Sequence, residues 1–375
     1  MLPSGALTAP GAQGFPGYRP ADAIDANRTA VGAFVDLEAN VTKQLLASIA
    51  IRAEHYSDFG NSLAGKVAAR YDFSPAFALR GSLQNGFRAP SPQQQFFAAT
   101  STIFINGVPF DLTTFKPSDA VAVALGAKPL DAEKSVNLSL GAVLRSGKIN
   151  LTVDAYRIKI KDRIVLSENL IETTVPGLTN FLRGRGFSSG GGRFFINGVD
   201  TTTDGVDAVL NVPLTVDNAG KFDFTLAANV NRTKVTKLPP IPTLTGFTPA
   251  PVLFGRVNVL TFEKGTPENK LSANVNWKLG QWGATARATR YGESISPGTT
   301  AAFDFTLSAK TLVDLEARYA VSSKMNLAIG ADNVFDVYPD AFPPALNTTG
   351  AAMFSNYAPF GRSGRFVYAR ANYSF

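Results

Sequence analysis

The chain contains no cysteine, and His55 is the only histidine among its 375 residues. A disulfide framework needs paired cysteines and a thiolate metal site needs cysteine ligands, so the sequence excludes both. A single histidine on a strand is more often a structural residue than a metal ligand. We therefore expect neither a metal nor any other cofactor in this chain.

Other features are missing as well. No run of about 18 or more apolar residues is present, which excludes a transmembrane helix. Residues 1–20 show no basic segment followed by an apolar segment, so no signal peptide is visible. The net charge of +7 arises from scattered lysines and arginines rather than from a stripe or tail, and this argues against nucleic acid as a partner.

The composition is unusual for a soluble protein of this length. The chain has 33 glycines, 28 phenylalanines and only 17% charged residues, and its mean hydropathy is +0.03. A β-barrel with an apolar outer face and a polar interior averages to such a value, because the contributions of its two faces cancel.

Apolar and polar residues alternate along many segments, which is typical of β-strands with one apolar face. In segment 221–233 the apolar side chains are those of Phe222, Phe224, Leu226, Ala228 and Val230. The pattern predicts about thirteen strands, each long enough to cross a bilayer when tilted. The predicted strands are 30–41, 44–55, 63–73, 77–88, 134–145, 148–163, 204–212, 221–233, 270–279, 282–291, 310–319, 325–335 and 365–375. In 148–163 the apolar phase changes midway, which indicates a bulge or the point where the strand leaves the bilayer.

Short and long connections alternate along the chain. The predicted short turns are 41–43, 74–76, 145–148, 212–221, 279–282 and 320–324, and the predicted long loops are 89–133, 166–203, 236–268, 292–308 and 336–364. The short connection 56–62 is the exception, because it occurs where a long loop is expected. Outer-membrane barrels sort their connections in this way, with the long loops outside the cell, whereas a soluble β-sandwich has no reason to do so.

The last strand also has a marked pattern. Val367, Ala369, Ala371, Tyr373 and Phe375 share one face of segment 365–375. A terminal aromatic residue after alternating apolar residues resembles the assembly signal of bacterial outer-membrane proteins. An ordinary edge strand is the alternative.

Sequence motifs connect the chain to a known family. The corner Gly86-Phe87-Arg88-Ala89-Pro90, after Tyr71-Asp72-Phe73-Ser74-Pro75, resembles the mid-barrel motif of TonB-dependent receptors, and Asp332-Asn333-Val334-Phe335-Asp336 resembles their penultimate-strand motif. The segment Phe195-Ile196-Asn197-Gly198-Val199-Asp200 is similar to a third motif, in which a loop re-enters a strand. These motifs occur in the order expected for the family.

The resemblance implies an all-β, antiparallel, up-and-down transmembrane barrel in the bacterial outer membrane. Family members have about 22 strands and an N-terminal plug domain, so we expect about 13 of those strands and no plug here. We assign residues 1–29 to the remnant of an extracellular loop and residues 30–375 to the C-terminal part of the barrel. Bacterial barrels have an even number of strands, so an odd number predicts that strands are missing. We therefore expect the isolated chain to fold poorly.

The family imports scarce ligands, among them ferric siderophores, haem, cobalamin and glycans, with energy from TonB. We expect a receptor rather than an enzyme. Adjacent residues on a strand face opposite sides, so His55 and Tyr56 do not form a nucleophile–base pair. The implied partners are outer-membrane lipid, the TonB complex through the missing N-terminal region, the barrel-assembly machinery and an unidentified small ligand. A passive porin and an adhesin or structural barrel remain alternatives.

Ligand contacts are expected in the long loops, because arginine binds anionic groups and aromatic faces cover apolar surface. The candidates are Gln94, Phe96, Phe97, Arg183, Arg185, Arg193, Phe194 and Phe195. Each of these residues could instead be solvated or pack within its own loop. Glycines 184, 186 and 190 lack the spacing of a phosphate-binding loop. Proline cannot donate to the ladder, so the corner at Arg88-Ala89-Pro90 is expected to end strand pairing and to place the next loop.

Overall fold

The computed structural model describes residues 11–12, 15–16, 23–105, 108–187, 189–240, 247–347 and 353–375. The strands are β1 (Gly11–Ala12), β2 (Phe15–Pro16), β3 (Ala30–Asn40), β4 (Leu45–Tyr56), β5 (Gly60–Ser74), β6 (Phe77–Arg88), β7 (Ala99–Ile105), β8 (Val108–Phe115), β9 (Glu133–Ser146), β10 (Ile149–Leu166), β11 (Leu170–Ile171), β12 (Gly191–Val216), β13 (Gly220–Lys237), β14 (Asn269–Leu279), β15 (Trp282–Tyr291), β16 (Ser294–Ser296), β17 (Phe305–Leu307), β18 (Lys310–Ala320), β19 (Met325–Asp332) and β20 (Phe366–Tyr373). The helices are α1 (Pro92–Phe96), α2 (Ala120–Ala124), α3 (Leu178–Arg183), α4 (Arg256–Lys264) and a 3-10 turn, Ala301–Phe303.

Thirteen long strands form one continuous sheet, in the order β20-β19-β18-β15-β14-β13-β12-β10-β9-β6-β5-β4-β3. All neighbours along this path pair antiparallel, and the short strands lie within the loops. The predicted up-and-down topology is confirmed, and all thirteen predicted segments are strands of this sheet. We call the sheet of these thirteen strands the wall. The sheet is open between β3 and β20, and the described part of the chain contains no plug. The predicted loop remnant 1–29 lies mostly outside the described residues.

One face of the wall is apolar. Residues directly opposite each other in adjacent strands lie on the same face. Ile49, Val67, Leu83 and Leu138 are successive partners on β4, β5, β6 and β9, and they are 46%, 50%, 49% and 53% exposed. Such a large exposed apolar surface is unfavourable in water but suits contact with acyl chains. The predicted apolar faces are therefore confirmed as one continuous outer surface.

The opposite face is polar and carries ion pairs between strands. Arg80 on β6 donates from Nε to Oδ1 of Asp154 on β10, at 2.8 Å. These two strands are not neighbours, because β9 lies between them. Gly141 of β9 is the register partner of both residues, and a Cβ at this position would collide with the Asp154 carboxylate. Glycine therefore leaves the space in which the arginine and the aspartate meet.

The apolar phase of β10 changes midway without a change in strand pairing. Pairing with β9 is regular from Ile149 to Lys161, so there is no bulge at the phase change itself. A register shift occurs later, between Ile160 and Ile164, opposite β12. From Arg157 onward, the outward positions of β10 carry charge instead of apolar side chains. The bulge explanation is therefore wrong at the phase change itself, and emergence from the bilayer stays a prediction for this segment.

The connections sort by length as the sequence predicts. At one end of the wall the turns are short, such as the residues between β12, which ends at Val216, and β13, which begins at Gly220. At the other end the loops are long, except for the three residues between β4 and β5. Strand β12 is longer than the predicted strand 204–212 at both ends. The sequence does not predict its upper half, residues 191–203, because this part is rich in glycine and threonine and lacks apolar alternation.

The buried core lies in the long loops rather than in the wall. It contains residues of α2, α3, the upper half of β12 and the segment before α4. Its fully buried members include Phe115, Val121, Leu125, Leu178, Leu182 and Phe194. We call the part of the loops packed around this core the loop cap. Among the residues that the structure describes, no helix is long and apolar enough to cross a membrane.

The orientation of the wall predicts different effects for neighbouring substitutions near the middle of β6. In the full-length protein refolded into phospholipid bilayers, Leu83→Arg places a charge on the acyl-chain side and is expected to cost about 2–4 kcal/mol of folding free energy. Gln84→Arg places the same side chain on the polar face and is expected to cost much less. Urea titration of the refolded protein measures both. Equal destabilisation by the two substitutions would contradict the orientation.

Candidate functional site

Polar side chains bind free backbone N–H groups at the N-termini of three loop helices, α1, α2 and α3. Ser91 and Gln94 form a capping box on α1, and the Asp119 carboxylate accepts from Val121 N of α2 at 2.8 Å. Glu172 accepts from Gly177 N and Thr179 N at the start of α3, at 2.6 and 2.7 Å, and these bonds lower the pKa of its carboxyl group. Short helices in loops are thus stabilised locally by polar side chains.

The predicted corner is joined to the base of the cap through Glu133. β6 ends at Arg88, as the proline at position 90 predicts. The Arg88 guanidinium donates from Nε to Oε2 of Glu133 at 2.9 Å, and Ile164 N donates to Oε1 of the same carboxylate at 2.7 Å. Glu133 is only 5% exposed. This single carboxylate therefore links the ends of β6, β9 and β10, and a loop-placing role for Arg88 stays a prediction.

The third motif provides a second polar link, at Asn197. Its side-chain Nδ2 donates to the carbonyl oxygens of Asp131 and Asp162, at 2.8 and 2.7 Å, and its Oδ1 accepts from Asp131 N at 2.7 Å. Asp162 lies at the register shift of β10 and has a positive φ of 52°. Asn197 therefore fixes the bulged upper part of β10 to β12 and to the returning loop.

Arg193 is the most unusual charged residue of the cap. It is half-buried, and its Nε donates to Thr114 Oγ1 at 3.0 Å. Burial lowers the pKa of its guanidinium below the ordinary value. No carboxylate of the described residues lies within 4.0 Å of this group, although a buried cation is normally paired. Among the described residues, the bond to Thr114 is the only hydrogen bond that this guanidinium makes.

The other candidates on this loop differ in their surroundings. Arg183 and Arg185 are exposed, and the Arg185 guanidinium lies 3.6 Å from the centroid of the Phe181 ring. Phe194 is 0% exposed in the loop core, so a ligand does not reach it without displacing that core. Phe195 is half-buried on the opposite side of β12. The glycines before Arg193 allow close packing, because a Cβ at Gly192 would collide with the Phe115 ring.

The candidates at α1 form a separate group. Gln94 is part of the capping box, and Phe96 and Phe97 are half-buried at the end of the helix. Among the described residues, no hydrogen bond or ion pair joins this group to Arg183, Arg185 or Arg193. Ligand contact stays a prediction for both groups.

An interaction that the sequence does not reveal holds α1 in place. The Arg28 guanidinium donates to Asp58 Oδ2 at 2.9 Å, lies 5.4 Å from the centroid of the Phe59 ring and also donates to Pro90 O. Gln95 Nε2 donates to the same Asp58 oxygen at 2.8 Å. These residues are distant in sequence, and the antiparallel pairing of β3, β4, β5 and β6 brings them together.

A polar hollow of about 700 Å³ lies below the loops on the inner face of the wall. The Arg287 guanidinium donates to Asp314 Oδ2 at 2.9 Å, and Lys270 Nζ lies 5.0 Å from the centroid of the Tyr291 ring. The penultimate-strand motif borders it, because Asn333 N donates to Asp314 Oδ1 at 2.8 Å. The strand predictions imply this polar face, but they do not identify these pairs.

The described residues contain no cluster of three or more histidine or acidic side chains suited to a metal ion. His55 Nδ1 lies 2.7 Å from Asn61 Oδ1. The arrangement as a whole offers cations, aromatic faces and amide groups above a polar interior.

Comparison with known proteins adds to this geometry. The family model for "TonB dependent receptor-like, beta-barrel" matches residues 4–334, and no curated protein matches the chain. A variant of the ferric enterobactin receptor PfeA of Pseudomonas aeruginosa, solved in complex with enterobactin, has a TM-score of 0.63 and 16% identity over 93% of this chain and 46% of that chain. The siderophore receptor PirA of Acinetobacter baumannii has a TM-score of 0.58 and 15% identity over 93% of this chain and 46% of that chain.

The ferripyoverdine receptor of Pseudomonas aeruginosa, solved with bound ferripyoverdine, has a TM-score of 0.56 and 14% identity over 93% of this chain and 39% of that chain. The chain thus spans about half the length of the solved receptors that it matches. Identities this low show a shared fold and nothing finer.

The link through Glu133 predicts a local effect on the cap. In the full-length protein, Glu133→Ala leaves the buried N–H of Ile164 without its acceptor, which is expected to cost about 1–3 kcal/mol, and it releases Arg88. We expect faster protease cleavage in loop 89–132. The wall is expected to stay folded, which is measured by unchanged gel migration of the unboiled protein. Asp217→Ala, in an exposed turn, is the control. Cleavage at the wild-type rate would contradict this role of Glu133.

The contact between Arg256 and Asp304 predicts a pH dependence in loop 292–309. The hydrogen bond from Arg256, followed by that from Gly298 N, lowers the pKa of Asp304 from 3.8 to about 2. A lowered pKa in the folded protein gives stability that is fully present above pH 3.8 and is lost as the pH falls towards about 2.

Pepsin, which is active in this range, provides the test. Cleavage of loop 292–309 is expected to be slow at pH 4 and to accelerate near pH 2. In Asp304→Asn the loop is expected to be cleaved rapidly already at pH 4. Identical pH profiles for the two proteins would show that the contact does not hold the loop.

Proposed function

The chain belongs to the TonB-dependent receptor β-barrel family, and we propose that it is the C-terminal part of an outer-membrane receptor that binds a small anionic ligand of the ferric siderophore class and imports it with energy from TonB. No bond of the ligand is made or broken in this process. The chain contributes part of the barrel wall and much of the ligand-binding surface, and the activity belongs to the complete receptor.

The observation that carries the choice of ligand is the half-buried Arg193 without a carboxylate partner among the described residues. A partly desolvated guanidinium binds an anion more strongly than an exposed one, because water competes less. Arg183 and Arg185 add exposed positive charge on the same loop. An anionic ferric siderophore with apolar or aromatic parts would fit arginines on the same loop as Phe181 and Phe195.

The solved receptors of similar fold support the same class. Their names describe them as receptors for ferric enterobactin, for siderophores and for ferripyoverdine. A passive porin needs an open channel, whereas the long loops here have their own buried core and several polar links to the wall. A folded cap of this kind suits ligand capture better than free diffusion.

Location and partners follow from the family and from the apolar outer face. We propose that the wall lies in the bacterial outer membrane, with the long loops outside the cell and the short turns in the periplasm. Energy coupling would act through a plug and TonB-binding segment outside this chain. Assembly would use the outward residues of β20, namely Val367, Ala369, Ala371 and Tyr373, together with the terminal Phe375.

Uptake by cells that express the full-length gene tests the proposal. With a radiolabelled ferric siderophore, accumulation is expected in energised cells and is expected to stop when the proton gradient is collapsed, while surface binding persists. Arg193→Ala is expected to weaken surface binding about tenfold or more, since it removes a charged hydrogen-bond donor.

Arg145→Ala, at the opposite end of the wall, provides the control and is expected to leave surface binding unchanged. Uptake that continues without the gradient would indicate a porin. Unchanged binding in Arg193→Ala would remove the assignment of the ligand site to this arginine.

A further inference from the structure

The outer face of the wall changes from apolar to basic along one line across β9, β10, β12 and β13. Six cations lie on the outward positions of these strands. They are Lys134, Lys159, Lys161, Lys234, Arg157 and Arg232. All six are exposed, while the residues that alternate with them on the inward side are partly covered. We call these six residues the basic belt.

The strand register places the members of the belt side by side. Lys161 of β10 is directly opposite Lys134 of β9. Lys159 of β10 is opposite Thr202 of β12, which in turn is opposite Lys234 of β13. Like charges directly opposite each other destabilise a sheet. The pair of Lys161 and Lys134 is therefore unfavourable unless an anion lies between the two ammonium groups.

Carboxylates of the described residues neutralise only part of this charge. Asp204 pairs with Arg157, and Glu268 lies 3.9 Å from Arg232. Six cations and two carboxylates leave an excess of four positive charges on this surface. When Lys237, Asp162 and Asp200 at the bulge above are included, seven cations and four carboxylates leave an excess of three positive charges. The ammonium groups of the four belt lysines have no carboxylate within 4.0 Å among the described residues.

The belt is continuous with the apolar outer surface. Val136 is the register partner of Lys159, and Leu138 is the partner of Arg157, at 49% and 53% exposed. Val230 on β13, two residues before Arg232, is 54% exposed. Cations thus begin where the apolar rows end, on the side of the wall that carries the long loops. This is the level at which the headgroups of surrounding lipids lie.

We propose that the basic belt is a binding site for the phosphate groups of membrane lipids in the leaflet that faces the long loops. The inference rests on the proposed placement of the wall in a membrane. Acyl chains of the bound lipid contact the rows of Leu138 and Val230, and its phosphate lies between Lys134, Lys161 and Lys159. A soluble acidic protein fits less well, because the apolar rows below the belt need an apolar partner.

The test compares two lipids that differ only in phosphate, namely phosphatidic acid and diacylglycerol. The full-length receptor in a neutral detergent is titrated with each lipid, and native mass spectrometry counts the molecules retained. The wild-type receptor is expected to prefer phosphatidic acid. Substitution of the four belt lysines, as Lys134→Gln, Lys159→Gln, Lys161→Gln and Lys234→Gln together, is expected to weaken binding of phosphatidic acid by about tenfold or more.

The control removes four exposed lysines near the short turns, as Lys43→Gln, Lys148→Gln, Lys278→Gln and Lys324→Gln together, and is expected to retain the preference. Equal loss in both variants, no loss in the belt variant or equal binding of diacylglycerol would overturn the proposal. Displacement of the lipid by inorganic phosphate at similar concentration would assign the site to a free anion and would overturn it too. Loss of a co-purified acidic protein from the belt variant, with unchanged lipid binding, would also overturn the proposal.

Binding of the ferric siderophore is measured on the same samples. The belt variant is expected to bind it as the wild-type receptor does, since the belt lies outside the loop cap. A receptor that fails to bind any siderophore but still prefers phosphatidic acid would contradict the proposed function alone. A receptor that binds the siderophore but does not prefer phosphatidic acid would contradict the proposed role of the belt alone.

Discussion

The structure depends on one constraint, namely that every backbone N–H and C=O group inside a membrane needs a partner within the protein. The strands of the wall meet it by pairing with their neighbours along their length, except at the open outer edges of β3 and β20. Because side chains alternate across a strand, the same pairing presents one apolar and one polar surface. The loop cap, the polar hollow and the basic belt all lie where they do because of this division.

The constraint also explains where the buried core lies. A wall with lipid on one side and water on the other has no second layer of protein to pack against. Compact packing therefore begins only beyond the proposed bilayer, where β10 and β12 continue over residues 161–166 and 191–203 and the loops pack around them. Glu133 and Asn197 lie at this boundary, and their side-chain hydrogen bonds join the connections to the strands. The proposed ligand site is thus joined to the wall at the strand ends.

Much of this fold is predictable from the sequence, because period-two alternation and the sorting of loop lengths are properties of neighbouring residues. The same reasoning identifies the corner at Arg88 and the general location of Arg183 and Arg193. It does not reveal that Phe194 is buried, since nothing local distinguishes a loop aromatic in a core from one at a surface. The pairs of Arg28 with Asp58 and of Arg80 with Asp154 depend on strand register, which joins residues far apart in the chain.

The central claim is that alternate side chains of the wall face hydrocarbon and water, and the absence of cysteine from this chain makes it directly measurable. Single cysteines at each position from Phe222 to Val230, in the full-length receptor within a bilayer, are exposed to a water-soluble thiol reagent. The account predicts labelling at Asp223, Thr225, Ala227 and Asn229 and protection at the alternate positions, which a lipid-soluble quencher reaches instead. Uniform labelling along the strand, or labelling of the apolar positions by the water-soluble reagent, would contradict it.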